Sequence, residues 1–185
     1  QMIEEAAPFD RDGFRDMHQD CVSLRGTACL PGLLSSLRSV DDKRQRAAAD
    51  ELKNWSGATT PESVATTIFN VFFSFWARRV ADERFDPAAA ELVMKGGEGV
   101  AARLLSQDPN GWFHQSDRET AIRETFAETV NYLAQRLGPD LSGWTWSRLH
   151  KMPLKHVLSS RGDLGKLLDH GGAPVRGDTV TVCNT

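Results

Sequence analysis

Thr60-Pro61-Glu62-Ser63-Val64-Ala65-Thr66-Thr67-Ile68-Phe69-Asn70-Val71-Phe72-Phe73-Ser74-Phe75-Trp76-Ala77-Arg78-Arg79-Val80-Ala81-Asp82-Glu83-Arg84 is the stretch around which the rest of the chain must be arranged. Thr60 is placed to accept backbone N–H bonds as an N-cap, and Pro61 suits the first helical position, where its missing N–H has no partner to lose. Val64, Ile68, Phe72, Phe75 and Trp76 recur at helical spacing, and Phe69, Phe73 and Val80 widen the stripe. A helix apolar over that much of its circumference has to be surrounded by other elements. Asn70 and Ser74 interrupt it, and its pure apolar run is too short to cross a bilayer. The pattern predicts a mainly α protein: an irregular helical bundle around a helix over 61–84.

Composition narrows the function classes. The chain has 22 basic and 25 acidic residues, a net charge of −3 and 40% hydrophobic residues, so it holds enough apolar material for one sizeable core. The charges are mixed along the sequence, which gives no basic field for nucleic acid. Cys21, Cys29 and Cys183 are widely spaced with no Cys-x-x-Cys, so neither a zinc knuckle nor a thioredoxin-like motif is supported. A Cys21–Cys29 bridge across a turn is sterically conceivable, but free buried thiols are the favoured reading. The opening residues lack the basic and apolar regions of a signal peptide, and a start at Gln1 suggests a chain trimmed or cut from something longer.

Outward from the central helix, residues 1–8 read as a polar lead-in and 9–140 as a helical subdomain. Asp10 to His18 forms a short helix, then Asp20 or Ser23 caps a second one carrying Leu24, Leu30, Leu33, Leu34 and Leu37, in which Pro31 is expected to kink or restart the helix near Cys29. Asp41 or Asp42 begins a third, through Leu52 and Trp55, closed at Ser56-Gly57. Pro87 opens another short helix, broken at Gly96-Gly97, and Val100 to Leu105 adds a turn or two. Asp108-Pro109-Asn110-Gly111 is a turn signal. Ser116-Asp117-Arg118-Glu119 has capping-box spacing, Ile122, Phe126, Val130, Leu133 and Leu137 form the stripe of the helix it opens, and Gly138-Pro139 stops that helix. From Leu141 the chain turns loop-like and aromatic, with Trp144, Trp146 and His150 close together. Residues 178–185 read as a strand, because β-branched residues follow a Gly-Asp turn. A strand without partners is unstable in water, so its neighbours are expected in a missing part of a parent protein.

Most candidate chemistry has a plainer alternative. His18 with Asp20, and His150 with His156, lack the spacing of a helical zinc pair and no His-Glu-x-x-His occurs, so structural roles are favoured. His114 and His170 sit in loops. No Gly-x-Ser-x-Gly or thiol-protease context surrounds a Ser or Cys, and Cys183 has no base beside it in sequence. Gly96-Gly97-Glu98-Gly99 lacks the Lys-Ser/Thr of a phosphate loop. The run 41–46 is a solvated helix start, and the aromatic belt from Phe69 to Trp76 is core before it is a ligand cage. Trp144, Trp146 and His150 are the exception. Two Trp and a His in an irregular loop form an anchor that docks one layer on another, their polar tips bonding backbone carbonyls while the rings fill the gap.

Trp144-Thr145-Trp146-Ser147-Arg148-Leu149-His150, then His156, then 171–184 through Gly177-Asp178 and Thr-Val-Cys, resembles the β-subunit of the penicillin acylase family, with its W-x-W-G-x-x-H segment, Gly-Asp turn and Thr-Val-Asn-like strand. Upstream, Gln19-Asp20-Cys21-Val22-Ser23, Leu52-Lys53-Asn54-Trp55-Ser56-Gly57 and Glu62-Ser63-Val64-Ala65 to Phe69 are similar to that family's patterns in the same order. Ser147, Ser56 and Cys183 depart from it. The resemblance, over roughly Phe9 to Thr185, implies a parent with the αββα fold of an N-terminal-nucleophile hydrolase. Such an enzyme cleaves linear amide bonds, for example β-lactam side chains or N-acyl homoserine lactones, with a self-released N-terminal Ser as nucleophile and its α-amine as base. It implies that this segment holds no catalytic, cofactor or metal residue, with calcium, if used, bound elsewhere in the parent. Residues 141–185 are then the Trp/His loop and strand re-entering the parent sandwich. The implied partners are the remaining α- and β-subunit parts and a small amide substrate, without nucleic acid or a membrane span, and the implied setting is an exported bacterial enzyme. The competing readings are a stand-alone helical protein-interaction module and, with less support, a metal hydrolase built on the histidines.

Overall fold

The computed structural model describes residues 10–94 and 96–183. The lead-in expected at 1–8 lies outside the described residues. Helices follow one another as α1 (Arg11–His18), α2 (Leu24–Ser36), α3 (Lys43–Lys53), α4 (Val64–Asp82), α5 (Pro87–Met94), α6 (Glu98–Ser106) and α7 (Arg118–Leu137). A 3-10 turn at Leu141–Gly143 and a single helical turn α8 (Trp146–Leu149) lead into β1 (Lys151–Leu154), α9 (Leu164–Leu168) and β2 (His170–Pro174).

The mainly α expectation holds, and α4 is the axis. Its Ile68, Phe69, Phe72 and Trp76 are fully buried, and it packs against α7, α5, α3, α6 and α8. The Phe72 ring lies parallel to Trp76 and meets Phe126 of α7 edge-on at 6.1 Å, while Trp76 sits 5.3 Å from Phe113. Phe75 is half-buried, its ring edge-on to Tyr132. Packing α2 against α6 depends on Gly32, where a Cβ would collide with the Leu105 carbonyl.

Several boundaries differ from the sequence reading for local reasons. The central helix begins at Val64, not at Pro61, because the Ser63 hydroxyl caps it by accepting the Thr66 N–H at 3.0 Å, while Pro61 and Glu62 form a turn. It ends at Asp82, short of Arg84. α2 does not restart at Pro31 but runs through it as one helix, capped by Ser23. α7 is capped by Asp117, whose carboxylate accepts the Thr120 N–H and hydroxyl, and not by Ser116. The strand expected at 178–185 is a series of turns and bends over 179–183, with 184–185 outside the described residues. The sheet near the C-terminus is instead the antiparallel pair β1–β2, in which Lys151 faces Pro174, Met152 faces Ala173 and Leu154 faces His170.

Candidate functional site

Among the described residues each of the five tryptophans donates its indole N–H to a backbone carbonyl: Trp55 to Ala58, Trp76 to Ala101, Trp112 to Val80, Trp144 to Gly138 and Trp146 to Gly177, all within 2.7–3.0 Å. Burying an indole ring removes much apolar area from water, but the N–H must find an acceptor, and here the bonds of Trp76, Trp112 and Trp146 fasten segments far apart in sequence. The sequence-predicted anchor of Trp144 and Trp146 is therefore present. Trp144 closes the end of α7, and Trp146 reaches the C-terminal turn.

Around Trp146 four separate segments meet. The Trp146 and Ser147 N–H groups donate to the carbonyls of Ser63 and Pro61 at 3.2 and 2.7 Å, pinning α8 to the entry of α4. The Gly177 N–H donates to Thr59 and the Thr59 N–H to Cys21, both at 2.9 Å, while the Cys183 N–H reaches the Asp20 carbonyl at 2.8 Å. Gly177 has φ +90, a region that suits glycine, and a Cβ there would strike the Cys183 carbonyl. Arg25 of α2 completes the corner. Its guanidinium lies 4.4 Å over the Phe73 ring, pairs with Glu98 at 2.7 Å and donates to Thr179 Oγ1 at 3.1 Å.

The His150 imidazole stacks on Trp146 with centroids 4.7 Å apart, but its Nε2 is buried without a partner among the described residues, so the expected bond from its ring to a carbonyl is not made. Arg25 Nε and Asp178 Oδ2 in the same corner share that condition, and Asp178 is 3% exposed. Its other oxygen accepts the Val180 N–H at 2.9 Å.

The chemistry these groups can perform is limited by what occupies them. Ser63 Oγ accepts from the Thr66 N–H and Thr66 hydroxyl, and Ser147 Oγ pairs with Thr145 Oγ1, so neither faces an imidazole. One Ser-His-Asp grouping, at Ser159, His156 and Asp169, was not singled out from the sequence, since the residues belong to a Gly-punctuated stretch without a motif. Its geometry is not that of a nucleophile and base. Ser159 donates its hydroxyl to the Asp169 carboxylate and the His156 carbonyl, while His156 Nδ1 accepts the Leu158 N–H. The Ser159 hydroxyl and His156 N–H hold the Asp169 carboxyl below the usual range. This is an exposed turn held by its own side chains.

The other histidines are scattered. His18 packs on Phe14 at 4.7 Å, His114 donates its backbone N–H to Glu83, and His170 lies in β2. Among the described residues no three His, Cys, Asp or Glu side chains converge as a metal site requires. All three cysteines are free, and burial pushes the Cys29 thiol up to about 11. No helix among the described residues is long and apolar enough to cross a membrane.

A family profile described as penicillin amidase matches residues 1–185. The chain is also similar to the acyl-homoserine lactone acylase QuiP of Pseudomonas aeruginosa, at 25% identity over 184 aligned residues covering 82% of this chain and 22% of that protein. The chain thus spans about a fifth of the length of the curated relative it matches.

Proposed function

The chain belongs to the penicillin amidase family, and on that premise we propose that it is the helical segment of a larger amidohydrolase that cleaves linear N-acyl bonds. The match over the full 1–185 carries this reading. The likeness to an acyl-homoserine lactone acylase favours N-acyl homoserine lactones as the substrate class, with β-lactam side chains as the second candidate. In this proposal the nucleophile, its base and the oxyanion donors lie in the remainder of the protein, and residues 9–140 buttress the catalytic sandwich.

Residues 141–185 are the part that meets the sandwich. Leu154, Val157, Leu167 and Val182 are exposed here at 48%, 89%, 79% and 55%. Bared apolar side chains of this kind support a reading in which another part of the protein covers them.

The test is to assay the intact protein for release of homoserine lactone from N-acyl homoserine lactones and of the amine nucleus from a penicillin. Hydrolysis of the first class in preference to the second is the expected result. No hydrolysis of either by the self-processed protein would overturn the proposal.

A further inference from the structure

The extended run 20–23 is bonded along both of its edges. On one edge the Ser23 N–H donates to Gly57 and the Thr59 N–H to Cys21, each at 2.9 Å, with Val22 and Ala58 facing each other as an antiparallel bridge. The carbonyl of Asp20 points the opposite way, as alternate carbonyls of an extended chain do, and there it accepts the Cys183 N–H at 2.8 Å. That carbonyl belongs to the peptide group Asp20 shares with Cys21, so the bond sets the Cys183 backbone against it and holds the Cα atoms of Cys21 and Cys183 within about 7 Å of each other. A disulfide spans Cα separations of roughly 4.4–6.8 Å. Cys21 and Cys183, near opposite ends of the sequence, are therefore neighbours.

Both thiols are free and half-buried, so a small oxidant can reach them. Cys29 differs. It is buried in α2, and desolvation raises its thiol to about 11, which leaves almost no thiolate at neutral pH. A bridge from Cys21 to Cys29 would need that protected thiol, whereas a bridge to Cys183 needs only two accessible ones already side by side.

We propose that Cys21 and Cys183 form a disulfide that ties the C-terminal turn to the segment leading into α2. The step is thiol–disulfide exchange with a small-molecule disulfide of the glutathione class. One cysteine thiolate attacks a sulfur of the oxidant, forming a mixed disulfide and expelling one free thiolate, which takes up a proton. The second cysteine, having lost its proton to solvent, attacks the protein-bound sulfur and expels the second thiolate. The protein loses two protons and two electrons, and the oxidant takes up both to become two thiols. The closed bridge fixes the turn that carries the Gly177 acceptor of Trp146 and the Thr179 partner of Arg25. This inference does not depend on the amidohydrolase reading.

The experiment uses the full-length protein equilibrated with oxidised glutathione or with dithiothreitol, alkylated, digested with trypsin and analysed by mass spectrometry. The proposal expects the peptides holding Cys21 and Cys183 to appear joined, lighter by two hydrogens than their sum, after oxidised glutathione, and separate after dithiothreitol. C21S and C183S should each abolish the joined species. The oxidised wild-type protein should melt at a higher temperature than the reduced one, a difference that C21S should lack. Free alkylated Cys21 and Cys183 after oxidation would overturn the proposal. So would glutathione capping each separately, or either pairing with a different cysteine.

Discussion

The indole N–H of Trp146 donates to the carbonyl of Gly177 at 2.9 Å, across 31 positions of sequence. Between the two lies the β1–β2 hairpin, so this bond sets where the hairpin leaves the helical body and where the chain returns to it. Trp146→Phe keeps most of the ring and removes the donor, leaving the Gly177 carbonyl without it. The expected loss is about 1 kcal/mol of unfolding free energy, against roughly 3–5 kcal/mol for Trp146→Ala, which also empties the site. Urea denaturation of the two variants beside the wild type measures both.

Gly32 and Gly99 predict opposite signs for the same substitution. A Cβ at Gly32 would meet the Leu105 carbonyl where α2 crosses α6, whereas one at Gly99 would meet open space within α6. Gly32→Ala should destabilise by about 1–3 kcal/mol, as overpacking does, and Gly99→Ala should stabilise by up to about 1 kcal/mol through helix propensity. Thermal unfolding followed by circular dichroism decides it, and equal effects would contradict the packing described.

The start of α7 should be pH-sensitive. The Thr120 N–H and hydroxyl on the Asp117 carboxylate hold its pKa below the ordinary aspartate value. A carboxyl depressed on folding contributes stability that is present above its unfolded pKa and lost as pH falls through the folded one. The stability gap between wild type and Asp117→Asn should therefore shrink as pH is lowered from about 5 to about 2. Ser116→Ala, which removes no cap, should leave the pH profile unchanged.

Cys29 gives a prediction at the other end of the scale. Its thiol is raised to about 11 by burial. The unfolded chain ionises that thiol at lower pH, so stability from this group is complete below the ordinary thiol pKa and declines as pH rises through the range from about 8.5 towards 11. Cys29→Ser should flatten the alkaline limb of the stability curve. In the native protein at neutral pH, Cys29 should be the slowest of the three cysteines to react with a thiol reagent.

How much of this was legible in the residues depended on which force decided each element. The apolar stripe of 64–80 fixed the burial of Ile68, Phe69, Phe72 and Trp76, because nothing competes with removing that much ring surface from water. The cap of α7 was a contest between neighbours, and the charge of Asp117 beside the helix N-terminus outweighed the Ser116 hydroxyl. Thr179 to Val182 looked like a strand from β-branching, yet the Asp178 carboxylate takes the Val180 N–H and the Thr181 hydroxyl takes the Asp178 N–H, so side chains satisfy the backbone locally. The real hairpin was hidden by Pro153, Pro174, Gly171 and Gly172. A two-stranded ribbon tolerates prolines because each strand keeps one edge free of ladder bonds. The anchor of Trp144 and Trp146 was visible as composition, but its acceptors, Gly138 and Gly177, became visible only in three dimensions.

Under the proposed function, these residues support an amidohydrolase without containing its reaction centre. The most direct measurement is amide hydrolysis by purified residues 1–185 alone, with N-acyl homoserine lactones as substrate and circular dichroism establishing that the helices are formed. Folded protein with no turnover above buffer is the expected result. Sustained turnover that copurifies with the segment and is lost on substituting one of its own residues, such as His150 or Ser159, would contradict it.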